Sequence, residues 1–241
     1  MVGAPSESHL LRRRVFAYGV HAFTATGAVW GFLALLAVFA QDWKRVFLFM
    51  LIAMIVDGVD GHLARWADTK KYAAGVDGAL MDNIIDYLTY VVVPALFFYV
   101  TDVLPRGWGL VGASAILLAS AYQFSQTSAK TEDHFFTGFP SYWNIVMFYM
   151  LVLGLNPWVN LAALFALVVL VFVPIKYVYP TRTSEFFWLT NFLLLLLTLA
   201  GIYGFYVYPD VPPWVVWVSF GVAIYYLALS LWMQQKEKPA P

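Results

Sequence analysis

Eight long apolar runs, each parted from the next by a short cluster of turn or charged residues, constrain this chain more than any other feature. Crossing about 30 Å of hydrocarbon takes a helix of about 20 mostly apolar residues. Runs of this kind fall at 18-40, 46-66, 75-101, 108-124, 142-156, 158-178, 185-208 and 212-233. They leave only about a third of the 241 residues for loops, too little for a separate soluble domain. With 62% of residues apolar and 12% charged, against roughly 45–50% and ~25% in soluble domains, a water-soluble globular fold is excluded. The expected fold is all-α: one polytopic membrane helix bundle of about eight transmembrane helices over residues 1-241.

The charged residues set the orientation. With the N-terminus cytoplasmic, Arg12, Arg13, Arg14, Arg65, Lys70, Lys71, Lys130, Lys176, Arg182, Lys236 and Lys238 share that side, and Lys44, Arg45 and Arg106 take the other. Eleven against three follows the positive-inside rule, so both termini are expected in the cytoplasm. The start MVGAPSESHLLRRR runs into a full span and has no cleavage pattern, so it does not read as a signal peptide. Its mixed apolar and basic positions suit a short interfacial helix within residues 1-17. Fourteen basic against 14 acidic residues give no basic face for nucleic acid. Zero cysteines exclude disulfides, Cys-bound zinc, iron–sulfur clusters and thiol chemistry.

The acidic residues are unevenly placed. Six of the 14 fall in the 30 residues from Asp57 to Asp86. Asp57 and Asp60 end the second run, and Asp82 and Asp86 open the third. A carboxylate at the centre of a membrane costs roughly 2.5–3.5 kcal/mol on insertion scales, so packing alone gives no reason to gather four. Asp57, Asp60, Gly61 and Ala64 stand at i, i+3, i+4 and i+7, on one helix face. Gly78, Asp82 and Asp86 stand at i, i+4 and i+8, on another. The short joint around Asp68 to Lys71 makes the two helices antiparallel neighbours, so the four carboxylates are expected to converge. Clustered like charges need a countercharge, and oxygen-only ligands suit two ions of Mg²⁺ or Mn²⁺ clamping a phosphate. Arg65 adds a guanidinium at the membrane boundary. His62 and His134 read as packing or solvated residues, and Asp68 and Asp77 as loop residues.

Written out, Asp57-x2-Asp60-Gly61-x2-Ala64-Arg65-x12-Gly78-x3-Asp82-x3-Asp86 resembles the motif of the CDP-alcohol phosphotransferases, integral membrane enzymes that join a CDP-activated lipid or alcohol to an acceptor hydroxyl and release CMP. Most of that family has eight residues between the arginine and the second glycine. The twelve here, Trp66 to Asp77, are similar to the bacterial branch that condenses CDP-diacylglycerol with choline, as are the chain length and the segment Lys130 to Asn144. The resemblance implies a catalytic motif at 57-86, with Asp57, Asp60, Asp82 and Asp86 holding two ions, Mn²⁺ or Mg²⁺. It implies Asp86 as the base for the acceptor hydroxyl, and Gly61, Ala64, Arg65 and Gly78 around the CDP group. His21 and Thr24 stand where the wider family carries Asn-x2-Thr near the nucleotide. It also implies a bacterial inner membrane, a cytoplasmic site and a homodimer.

A quaternary ammonium has no N–H donor and is best held by aromatic faces and a carboxylate. Glu132, Asp133, Phe135, Phe136, Tyr142 and Trp143 offer these between the fourth and fifth runs. Rival readings keep the chemistry with serine, inositol or glycerol phosphate as acceptor, or make the chain a divalent-cation transporter or a purely structural membrane protein. Phosphorylated acceptors call for clustered Arg or Lys, and a transporter for acids through the membrane depth.

Overall fold

The computed structural model describes residues 6-126, 135-178 and 186-236, with the backbone alone for 135-137, 176-178 and 234-236. The chain divides into two compact units, Met1–Val93 and Pro94–Pro241.

The first unit is built on an antiparallel hairpin of α1 (Glu7–Phe39) and α2 (Trp43–Ala67). Asp42 starts α2, its carboxylate accepting the Arg45 N–H at 3.1 Å. Asp68, in the left-handed conformation with φ 50°, ends it. A single turn, α3 (Thr69–Tyr72), leads to α4 (Gly78–Asp86). Asp77 caps α4 by accepting the N–H groups of Ala79 and Leu80 at 3.0 and 3.1 Å, so this presumed loop residue is a helix start. The helix then widens into a π-helical turn, Tyr87–Val92, and continues as α5 (Val93–Val100). Pro94 supplies a cause. It has no N–H for the carbonyl of Tyr90, four residues earlier, and its ring would clash there in a regular α-helix.

α1 lies close against the third span. A Cβ on Gly27 would fall 2.7 Å from Ile85 Cγ2, and one on Gly31 would fall 2.8 Å from Leu88 Cδ2. Small residues let membrane helices approach in this way. The expected separate interfacial helix in residues 1-17 is corrected: α1 runs unbroken from Glu7. No proline interrupts the stretch from there to Val20, and Ala17 and Val20 anchor it on Ala67 and Ala73.

In the second unit α6 (Gly109–Ser125) packs on α8 (Pro157–Phe172), and α9 (Phe187–Val207) on α10 (Pro213–Lys236). In chain order α7 (Trp143–Leu153) comes between α6 and α8. The run 142-156 stops short because Gly154 takes a left-handed cap at φ 54°. The run 158-178 stops at Phe172 because Val173, ahead of Pro174, is forced into extended backbone. The fold is all-helical as expected apart from one short detail: β1 (Phe135–Thr137) and β2 (Lys176–Val178) form a three-residue antiparallel ladder. Gly138 beside it has φ +80°, and a Cβ there would collide with the Val171 carbonyl oxygen, so only glycine fits.

Several buried polar groups of this unit pair with one another, while buried Asn160 donates to the Val103 carbonyl at 3.0 Å and its Oδ1 has no partner among the described residues. The fully buried Trp143 indole N–H donates to Ser120 Oγ at 2.8 Å, which donates to Ser141 Oγ at 3.0 Å. Thr190 pairs with Tyr225 at 2.8 Å, and Tyr149 donates to Ser219. Among the described residues, five helices are long and apolar enough to cross a membrane: Glu7–Phe39, Trp43–Ala67, Gly78–Val100, Phe187–Val207 and Pro213–Met233. Three shorter apolar helices, α6, α7 and α8, occupy the remaining predicted runs. The chain is a helical integral membrane protein.

Candidate active site

The hairpin and the third span bring three of the four aspartates together. Asp57, Asp82 and Asp86 each present one carboxylate oxygen within 4.8 Å of the others, and all three are half-buried. Three such charges repel strongly unless a cation joins them. A half-buried donor set made only of carboxylates suits a hard divalent ion. These residues therefore fit a Mg²⁺- or Mn²⁺-type ion.

Asp60 stands beside Asp57 outside that trio. It is 7% exposed, and the Thr24 hydroxyl on α1 donates to its carboxylate. Thr24 is buried as well, so α1 supplies part of the site's wall. One helical turn earlier, His21 is 6% exposed, and its Nε2 has no hydrogen-bond partner among the described residues. A buried ring nitrogen left unpaired calls for a missing partner such as a ligand. Gly78 is what admits this ring, since a Cβ there would fall 2.9 Å from His21 Cε1.

The remaining motif residues line the same end of α2. A Cβ on Gly61 would come within 3.5 Å of Arg65 Nη1, so the guanidinium lies over the bare backbone. Arg65 is exposed and free to turn toward an anion. Ala64 packs on the small cluster of Ala17, Val20, Ala67 and Ala73.

One residue escaped the sequence reading. The Tyr90 hydroxyl donates to Asp57 Oδ2 at 2.8 Å. Its signal was present: Tyr90 continues the four-residue series Gly78, Asp82, Asp86.

The residues expected around the acceptor's ammonium lie in the second unit. Glu132 and Asp133 fall outside the described residues, and Phe135 and Phe136 are described by backbone only, in β1. Tyr142 is 39% exposed, whereas Trp143 is fully buried. Trp143 also meets Phe139 edge to face at 5.2 Å, so it braces the start of α7. The described helices α5 to α10 carry no aspartate or glutamate.

No family model matches the chain. Relatives do. A phosphatidylcholine synthase of Legionella pneumophila is 40% identical over 224 residues, covering 90% of this chain and 88% of the relative. One of Pseudomonas aeruginosa is 35% identical over 221 residues, 92% and 93% of the two chains. One of Rhizobium meliloti is 33% identical over 217 residues, 89% and 90%. The likeness thus runs through both units and well beyond the acidic motif: the chain belongs to the phosphatidylcholine synthase family.

Proposed function

We propose that this enzyme transfers the phosphatidyl group of CDP-diacylglycerol to choline, giving phosphatidylcholine and CMP. The observation that carries the reading is the meeting of Asp57, Asp82 and Asp86 within 4.8 Å at the end of a membrane hairpin, in a chain 40% identical to a phosphatidylcholine synthase. Asp57, Asp60, Asp82 and Asp86 hold two divalent ions, Mn²⁺ or Mg²⁺. When bound, the ions neutralise the diphosphate and favour departure of CMP.

The chain's own groups do the rest. Arg65 and the bare Gly61 backbone take the CDP phosphates, and His21 Nε2 finds its missing partner on the nucleotide. Thr24 keeps Asp60 in place. Asp86 accepts the proton from choline's hydroxyl, whose oxygen attacks the phosphorus bearing diacylglycerol in line while the bond to CMP breaks. Choline's ammonium is held by aromatic faces of the segment before α7, with Tyr142 exposed enough to serve and Trp143 bracing it. Eight helices cross the membrane, and the termini and site face the cytoplasm, supported by the eleven-to-three split of basic residues. Family resemblance supports a homodimer in the bacterial inner membrane.

The test is CMP release from CDP-diacylglycerol by purified protein in liposomes, with choline, serine, inositol or glycerol phosphate, and with Mn²⁺, Mg²⁺ or chelator. Release that needs both choline and metal is expected. Release with another alcohol but not choline would reassign the acceptor, and metal flux without CMP would overturn the enzyme reading.

A further inference from the structure

Three features converge on the turn that follows Asp86. First, the backbone from Tyr87 to Val92 is π-helical, a form that occurs mostly as single turns and often at functional sites. Second, the Thr89 hydroxyl donates to the Ile85 carbonyl at 3.1 Å and lies 3.5 Å from that of Asp86. It thereby serves carbonyls that the wide turn loosens. Third, the Tyr90 hydroxyl reaches across to α2 and donates to Asp57 Oδ2 at 2.8 Å.

The wide turn accounts for the reach. In an α-helix each residue turns about 100°, so every four-residue step drifts about 40° round the axis. Gly78, Asp82 and Asp86 already drift in this way. A further α-helical step would carry Tyr90 about 80° beyond Asp82. A π-turn holds more residues per turn, which cancels drift and returns Tyr90 to the side where Asp57 lies.

We propose that Tyr90 is a positioning residue: its hydroxyl fixes the Asp57 carboxylate so that it faces a divalent cation together with Asp82 and Asp86. The hydrogen bond restrains rotation of the Asp57 carboxylate. It also fastens the acid on α2 to the helix that carries the other two. Partners of this kind orient metal-binding carboxylates, and losing one typically weakens metal affinity 10–100-fold. The inference rests on the metal-dependent reading above.

Tyr90→Phe removes one oxygen and keeps the ring. Full-length wild-type and variant proteins in detergent are titrated with Mn²⁺ alone, free Mn²⁺ being followed by electron paramagnetic resonance. Thermal midpoints are measured without metal. The variant is expected to bind Mn²⁺ about ten-fold or more weakly with an unchanged metal-free midpoint. In turnover its kcat at limiting Mn²⁺ falls, recovers at saturating Mn²⁺, and leaves the choline KM unmoved. Wild-type-like Mn²⁺ binding by Tyr90→Phe overturns the proposal and leaves the metal reading intact. A lowered metal-free midpoint that accounts for the weaker binding also overturns it, in favour of a structural role. Wild-type protein that binds no Mn²⁺ overturns both.

Discussion

One polar cluster in each unit makes an instructive contrast. In the second, Ser120, Ser141 and Trp143 are fully buried and satisfy one another. In the first, Asp57, Asp82 and Asp86 are half-buried carboxylates gathered against their own repulsion. Buried polar groups that close on each other rigidify a core. Carboxylates brought together in this way suit a divalent cation that arrives. The contrast separates a bracing network from a working one without reference to any motif.

The largest effect tests the working side. Asp86→Asn keeps the shape and removes the base, so kcat should fall about 10²–10⁴-fold, with the thermal midpoint unchanged. Turnover near the wild-type rate would remove Asp86 as base. Next comes the bracing side. Trp143→Ala should cost about 3–5 kcal/mol of stability, read as a much lower thermal midpoint. A stable variant with only a raised choline KM would move Trp143 into the working set and break the comparison.

Thr24→Val lies on the border, because it strips a hydrogen bond from a buried acid. The expected loss is about 1–3 kcal/mol, partly restored by saturating Mn²⁺ through its binding to the folded state. A loss that Mn²⁺ does not touch would make Asp60 a bracing residue. The smallest effect belongs to Tyr142→Ala, where an exposed cation–π contact of about 0.5–1 kcal/mol predicts a choline KM raised roughly two- to five-fold at constant stability. An unchanged KM would take the acceptor site away from this segment.

Helix positions were legible because hydropathy decides them. The runs 108-124 and 185-208 became Gly109–Ser125 and Phe187–Val207. The meeting of Asp57, Asp82 and Asp86 followed from spacing plus a short joint. Two kinds of information stayed hidden. Local backbone choices, such as the π-turn before Pro94 and the uninterrupted start of α1, depend on neighbours that a periodicity does not represent. Pairings across helices, Thr24 with Asp60 and Tyr90 with Asp57, depend on which faces meet. The four aspartates therefore looked equivalent in sequence, although one of them is walled in by α1.

The hairpin of α1 and α2 also serves as a depth gauge. Thr24 lies 15 residues before Phe39, and Asp57 lies 14 after Trp43, which at 1.5 Å per residue are about 22 and 21 Å from the connecting turn. Hydrocarbon about 30 Å thick that begins at this turn ends about 8 Å beyond them. In the proposed reaction a lipid-borne diphosphate needs only to dip below its own headgroup plane, while its acyl chains never leave the bilayer. The alcohol has to descend from water. Choline, with no N–H to strip of water, makes that descent at lower cost than a phosphorylated alcohol, whose charged oxygens lose strong hydration. With the membrane so placed, depth would favour choline over a phosphorylated acceptor.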